Sequence, residues 1–520
     1  MRVAAVTTAR RAASESVSSV AAAAAALLHQ RGGSAGLGRQ GLPASPSSLG
    51  GGRLKTPSLH RWRPWRGIAS AAPPTTAPDA PTTTTSTPPP PSFKAAIDFK
   101  ALKAGLPAAV ANVAARKANA DPVAVVALYD AWRAASEAAD AARADRNANA
   151  AAMKGKLDAE QRAALVAAGK ALKEQLVVLE AAAEDAEHAL QAAAQRLPNL
   201  ADPAVPVGGE EDAVVIKTVG SPPAFDGFSP VDHLAIGSAL DLIDFDSGAA
   251  AAGAKFVYLR RAAAQLELAL CTWALGKAAA AGFIPMTTPD LVKESVLEKC
   301  GFQPRADNTQ VYGVRESGLC LTGTAEVPLA AVAMDKVLPA AALPLRMAAF
   351  GHCFRTEAGA AGSASRGLYR VHQFSKVELF VVATPDQSAA ILDELLAFEE
   401  ALFAELGLHY QVLDMPTGDL GAPAARKYDV EAWMPGLGRF GEVSSASNCT
   451  DYQARRLNIR FRPDSTGKPE FCHTLNATAA AVPRLLVAIL ETFQQADGSV
   501  VVPPVLRPFM GGLEVIRAPG

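Results

Sequence analysis

Between Phe354 and Leu379 the sequence FRTEAGAAGSASRGLYRVHQFSKVEL crowds Arg355, Glu357, Arg366, Arg370, His372, Lys376 and Glu378 into one stretch bounded by apolar residues. A guanidinium can grip a carboxylate or phosphate through two parallel hydrogen bonds, and a carboxylate can accept from an amine. Arg355 and Glu357 are two apart, so on a strand both side chains point to one face. A single pair of this kind is usually a surface ion pair. Its company here raises its weight: Glu378 in the apolar run VELFVV, Glu442 and Ser445 in FGEVSS, and Arg484 at the head of RLLVAILETFQ. His352, His372 and His473 receive no catalytic role, because a lone histidine is more often structural.

Elements with three kinds of periodicity must position these groups. RLNIRFR alternates Leu457, Ile459 and Phe461 with polar residues, which predicts a half-buried strand, and VELFVV predicts a buried neighbour. RLLVAILETFQ sets Leu485, Leu486, Ile489, Leu490 and Phe493 on one helical face, with Arg484 near its start. Together they imply an antiparallel sheet with one side used as a ligand floor. Upstream, from Asp121 to Arg196, Leu165, Leu172, Leu176, Leu179, Ala183, Ala186 and Leu190 follow a heptad-like seam, matched by Leu128, Trp132, Ala135, Ala139 and Ala142. The Gly-containing break MKGKLDAEQ lies between, so the segment reads as two antiparallel helices, an arm of roughly 45 Å. Arg143, Arg146, Lys154, Lys156, Arg162, Lys170 and Lys173 gather near its turn against Asp145, Asp158 and Glu160, while Glu174, Glu180, Glu184, Asp185 and Glu187 lie toward its base. A basic tip held away from the body suits a polyanion.

The 520 residues suffice for two or three folded units with ample core. Formal net charge is -1, yet residues 1–92 hold ten Lys and Arg against Glu15 and Asp79, leaving the remainder near -9. Such a body attracts nucleic acid only through a local basic patch. Residues 1–92, rich in Ala, Ser, Arg, Gly and Pro and ending in APPTTAPDAPTTTTSTPPPPS, predict an organelle transit peptide with a linker, processed near Ser70. The six cysteines never approach ligand spacing, which argues against a zinc site or a disulfide framework. No apolar run predicts a membrane span.

Taken in order, these segments resemble the seryl-tRNA synthetases, a family of class II aminoacyl-tRNA synthetases, from Ile97 to the PFMGG near the end. GFIPMTTPDLVKESVLEKCG, around Pro285, is similar to the first class motif, the FRTE to KVEL stretch to the second, and NATAAAVPRLLVAILE to the third; LTGTAEVPL and GEVSSASNCTDYQARR resemble segments special to the serine enzymes. The resemblance implies an α+β chain: a coiled-coil arm (93–204) that binds tRNA(Ser), then a catalytic domain (205–520) built on an antiparallel sheet, paired into a homodimer through the first motif.

It also implies an ATP site made by Arg355, Thr356, Glu357, Val371, His372, Gln373, Phe374, Glu442, Val443, Ser444, Ser445 and Arg484, with Phe374 stacked on the adenine, Arg355 at the α-phosphate and Arg484 at the far phosphates. Glu442 and Ser445 would hold magnesium. L-serine would lie among Thr324, Ala325, Glu326, Glu378, Asn476 and Thr478, and Arg355 and Arg484 would be the catalytic groups. The chain departs from the family pattern in two places. Ser363 stands where a tRNA-facing arginine is common, and Ala477, Ala479 and Pro483 replace the usual glycines of the third motif. A proline there predicts a helix that starts well after Asn476.

Overall fold

Asp121 caps the first arm helix, accepting hydrogen bonds from the backbone N–H groups of Val123 and Ala124, and Pro122 occupies the first turn, where its missing donor costs nothing. In the computed structural model, which describes residues 92–304, 309–358, 366–464 and 467–519, this helix is α2 (Pro122–Ala152), preceded by α1 (Leu106–Ala115). A short turn leads to α3 (Ala159–Ala194), opened by a capping box between Asp158 and Gln161. Every predicted seam residue is buried or half-buried. Gly169 lies where a Cβ would press on Asn149 Nδ2 at 2.9 Å, so the missing side chain lets the helices close near the tip. Arg143, counted from the sequence with the basic tip, is drawn into ion pairs with Asp140 and Glu180. At the root, Val125, Tyr129, Leu190 and Ala194 form a small core with Phe99, Leu102 and Trp132.

Two polar side chains pin the arm root to the body. The guanidinium of Arg116, the residue that caps the end of α1, donates to the carbonyls of Asn199 (2.7 Å), Ala424 (2.8 Å) and Gly421 (2.6 Å). Burial pushes it down to about 10. Asn199, just past α3, donates to the carbonyls of Pro423 and Cys449 and to Thr450 Oγ1.

The body is built on strands β1 (Val214–Val219), β2 (Ile284–Thr287), β3 (Leu345–Phe354), β4 (Gln373–Ala383), β5 (Tyr410–Asp414), β6 (Arg426–Met434), β7 (Arg439–Asn448) and β8 (His473–Ala481). They form one eight-stranded sheet in the order β1-β5-β6-β7-β8-β4-β3-β2, antiparallel except between β2 and β3. One face is covered by α5 (Arg261–Ala280), α7 (Ser388–Leu406) and α9 (Val482–Thr492), which pack on Val377, Leu379, Val381, Ala477 and Val443. On the other face a second core, including Leu297, Val327, Leu329 and Ile459, covers only Met347, Ala349, Phe380 and Val382. The rest of that face is polar.

The alternating RLNIRFR is not part of this floor. Leu457 ends a short helix, Asn458 caps it at φ +56°, and only Arg460–Arg462 is extended, in a separate three-stranded sheet. Local helix propensity and a left-handed cap override the period-two pattern, while Ile459 and Phe461 still reach the second core. VELFVV lies in β4, next to β3 and β8 rather than to that strand. Asn476 is in β8, and the following helix begins at Val482 with Pro483 in its first turn, as the proline predicted. No helix among the described residues is long and apolar enough to cross a membrane. The predicted transit peptide and linker, except Ser92, and the loop residues Gly362 to Ser365 lie outside the described residues.

Leu190 is 1 % exposed in the root core. Leu190→Ala leaves a cavity there and should destabilise the arm root by about 2–5 kcal/mol, read as earlier loss of helical signal in urea. An unchanged transition would show that the root does not depend on this core.

Candidate active site

Strand register explains how separated charges meet on the open face. Phe374, Lys376 and Glu378 alternate along β4, and Glu378 pairs with Thr478 on β8. Asn476 follows two residues before Thr478 and pairs with Ser447 on β7. Glu442 and Ser445 are three apart, so a regular strand would send them to opposite faces. A bulge prevents this: Ser444 pairs with Val430 but Glu442 with Glu431, leaving Val443 extra and turning Glu442 toward the face that Ser445 shares.

The walls come from the end of β3 and from the turn before β4. Arg355 and Glu357 lie beyond the last strand residue, and Glu357 adopts φ +51°. The two-residue strand spacing is therefore not what joins them, although both line the cleft. The Arg355 guanidinium lies 5.2 Å from the Phe374 ring centre and donates from Nε to the Gly323 carbonyl. Arg370 pairs with Glu357 at 3.3 Å. Arg484 lies over Tyr369 at 4.7 Å and binds Glu442 Oε2 at 2.7 Å. Desolvation works against the charge of Glu442, but Arg484 and Lys427 outweigh it and hold the carboxyl below its usual range.

Val371, Phe374, Val443, Ser444, Ser445 and Thr478 line the same cleft. Thr356, His372 and Gln373 hold other positions. Thr356 turns its hydroxyl to the Thr309 carbonyl. His372 stacks on Phe256 and meets Tyr312 and the Arg355 carbonyl through Nδ1. Gln373 is exposed at the start of β4. The other two histidines also have structural partners, His352 with Asp290 and His473 with Ser388.

Lys376 and Thr478 of the cleft lining also contact Glu378, one of two buried carboxylates that with their polar neighbours make up an inner chamber. Glu326 opens helix α6 (Glu326–Val332), and its backbone N–H donates to Thr324 Oγ1 across the buried Ala325. Its Oε1 accepts from Gln453 Nε2 at 2.6 Å and from Asn476 Nδ2 at 3.3 Å. Glu378 accepts from Thr478 Oγ1 and pairs with Lys376. Burial, then the charge of Glu378, push Glu326 up to about 7. Burial also raises Glu378, with Lys376 opposing. Two acids thus share one adjacent lysine, and the chamber is suited to receive another cation.

Sequence reasoning assigned no role to Lys376, Tyr369, Gln453 or Glu399. Lys376 was findable, since it lies two residues from both Phe374 and Glu378 on an alternating strand. Gln453 and Glu399 carried no such signal. Ladder pairing between β7 and β8 stops at Ala446 and Ala477. Glu399 of α7 enters the gap from behind and accepts from the Thr478 N–H at 3.1 Å, while the Ser444 hydroxyl donates to the Thr478 carbonyl.

The raised Glu326 fixes a pH dependence. Its folded pKa exceeds the reference 4.5, so its contribution to stability is complete below that value and is lost as pH rises through about 7. Ligand-free Glu326→Gln lacks this loss. Across pH 5 to 8 the parent should fall relative to the variant by on the order of 3 kcal/mol in thermal or urea melts. A gap that does not change with pH would contradict the assignment.

Comparison with known proteins places this geometry. Residues 312–493 match the family model of the tRNA synthetase class II core domain (G, H, P, S and T), and residues 97–201 match that of the seryl-tRNA synthetase N-terminal domain. The serine–tRNA ligase of Treponema denticola is 47 % identical over 418 residues, covering 80 % of this chain and 99 % of that protein. That of Rubrobacter xylanophilus is 45 % identical over 416 residues, 80 % of this chain and 98 % of its own. Among solved structures, the seryl-tRNA synthetase of Pyrococcus horikoshii complexed with ATP superposes with a TM-score of 0.76 at 35 % identity, covering 82 % of this chain and all of that one. Since relatives this similar are matched over nearly their whole length, arm and catalytic core together, the chain belongs to the serine–tRNA ligase family, the seryl-tRNA synthetases.

Proposed function

We propose that this seryl-tRNA synthetase binds ATP along the polar sheet face and L-serine in the carboxylate chamber, and that it serves translation in a chloroplast or mitochondrion. The single observation that carries the site reading is the continuity of the cleft. Its lining runs from Phe374 and Arg355 past Arg484 and Glu442 to Lys376 and Thr478, the two residues that contact the buried Glu378. In this reading the adenine stacks on Phe374 near Glu357 and Val371, Arg355 meets the α-phosphate, and Arg484 meets the departing phosphates. The serine ammonium goes to Glu326 and Thr324, and its hydroxyl to Glu378 and Thr478. The serine carboxylate attacks the α-phosphorus, pyrophosphate leaves, and the terminal ribose hydroxyl of tRNA(Ser) then displaces AMP from the seryl-adenylate. No protein nucleophile is needed. Positioning and charge neutralisation by the two arginines supply the catalysis.

Glu442 and Ser445 present oxygen donors on one face beside Arg484, which fits magnesium, an ion usually bound through one or two carboxylates and substrate phosphates. When bound it would neutralise phosphate charge. The homodimer reading rests on the first-motif segment, where Ile284 on the edge strand β2 and Leu291 are exposed. The organellar reading rests on the arginine-rich, acid-poor composition of residues 1–92.

Two experiments test this reading. Glu378→Ala removes the hydroxyl acceptor, so the serine KM in pyrophosphate exchange should rise by roughly 100-fold or more while the ATP KM stays nearly constant. Equal serine KM values would refute the placement. Replacing residues 138–182 by a short Gly-Ser turn keeps the root core and removes the tip. Serine-dependent exchange should survive and charging of tRNA(Ser) should collapse; full charging would show that the arm is dispensable.

A further inference from the structure

Gln453, wholly buried on helix α8 (Tyr452–Leu457), donates to the Glu326 carboxylate. Its amide orientation is fixed by its neighbours. Nε2 lies 3.3 Å from the Cys300 carbonyl, which can only accept, so a flipped amide would set two oxygens against each other. The Thr474 hydroxyl donates to Gln453 Oε1 at 2.7 Å. Gln453 must therefore donate to Glu326 Oε1, and at 2.6 Å this is the shorter of the two bonds that oxygen accepts. The second comes from Asn476. Both accepting directions of Oε1 are taken, which leaves Oε2 as the oxygen for an incoming ammonium.

We propose that Gln453 is a positioning residue that sets serine affinity by clamping Oε1 of Glu326, so that Oε2 faces the substrate ammonium. The inference rests on the reading of Glu326 as the ammonium acceptor. Glu326 is faced by Glu378 and Lys376 from β4, by Arg355 from the end of β3, and by the thiols of Cys300 and Cys449. Of the uncharged groups, Gln453 provides the shortest stabilising contact to the ionised form, and burial works against that form. Without Gln453 the carboxyl rotates more freely and keeps its proton to higher pH. Ammonium binding is then weakest at low pH and recovers as pH rises. The loss is uniform between ground and transition states, because the ammonium takes no part in the chemistry, so KM rises and kcat does not fall.

The test is serine-dependent pyrophosphate exchange by the full chain from pH 6.5 to 8.5, with Gln453→Met, Thr474→Val and Glu326→Gln compared with the parent. Gln453→Met keeps the length and loses the donor. Its serine KM should rise roughly 10- to 100-fold at pH 7, as for one lost hydrogen bond to a charged group, and narrow toward the parent as pH rises, with ATP KM and kcat within about twofold. Thr474→Val frees the amide without deleting it and should show the same pH-dependent rise, smaller in size. If Gln453→Met does not fold, that variant decides. A pH-independent rise, or parallel rises in serine and ATP KM, would mean that Gln453 only packs the core and would overturn the proposal. If Glu326→Gln raises the serine KM while Gln453→Met does not, the clamp alone fails. If Glu326→Gln leaves it unchanged, the underlying reading of Glu326 fails instead.

Discussion

A sheet can carry ionisable side chains beside a core only if its two faces do different work. Here that constraint organises the body. Three helices cover one face with Val377, Leu379, Val381 and Ala477, which obliges Lys376, Glu378, Asn476 and Thr478 to project from the other. A slip of one residue in β4 would bury a lysine and a glutamate under α5 and expose three valines and leucines. The apolar face thus holds the polar face in register, and the crowd of charges between Phe354 and Leu379 is tolerated because its neighbours are fixed elsewhere.

Within the open face, in the proposed reading, charges are placed so that substrate completes them. Arg484 is already committed to Glu442 and stacked on Tyr369, and Arg355 lies against Phe374, so both guanidinium planes are oriented without a ligand. That preorganisation is what electrostatic stabilisation of phosphates requires. The inner chamber works in the opposite sense. Glu326 and Glu378 share Lys376, and burial raises both carboxyls. In the proposed placement, serine supplies the positive charge and the hydroxyl that the chamber lacks, whereas alanine would leave Glu378 and Thr478 without that hydroxyl.

The arm is a separate problem of leverage. A hairpin of 31 and 36 residues has little core of its own, and its seam is mostly alanine and leucine. Its direction is set at the root, where Arg116 and Asn199 hold backbone carbonyls of the 420–424 loop and of Cys449. A buried guanidinium held by several carbonyls through its two terminal nitrogens, as Arg116 is, is costly to displace, so the root resists bending.

The heptad seam and the Gly-containing break determined the arm, since together they leave few alternatives for residues 121–196. Local pattern also determined that VELFVV is a strand and that the helix after NATAAA must wait for Pro483, because proline tolerates only a first turn. The motif order made Arg355, Glu378, Glu442 and Arg484 legible as partners. Only the tertiary structure decided how they meet. The bulge at Val443 that turns Glu442 toward the face of Ser445, the φ of +51° at Glu357 and the helical fate of Arg456 and Leu457 all depend on pairing or packing with distant segments. Gln453 and Glu399 were invisible for the same reason. Each acts across more than seventy residues of sequence through a hydrogen bond that exists only once the second core and α7 are in place. Local pattern records which face of its own element a side chain takes; what waits on the far side of that face is set by the fold.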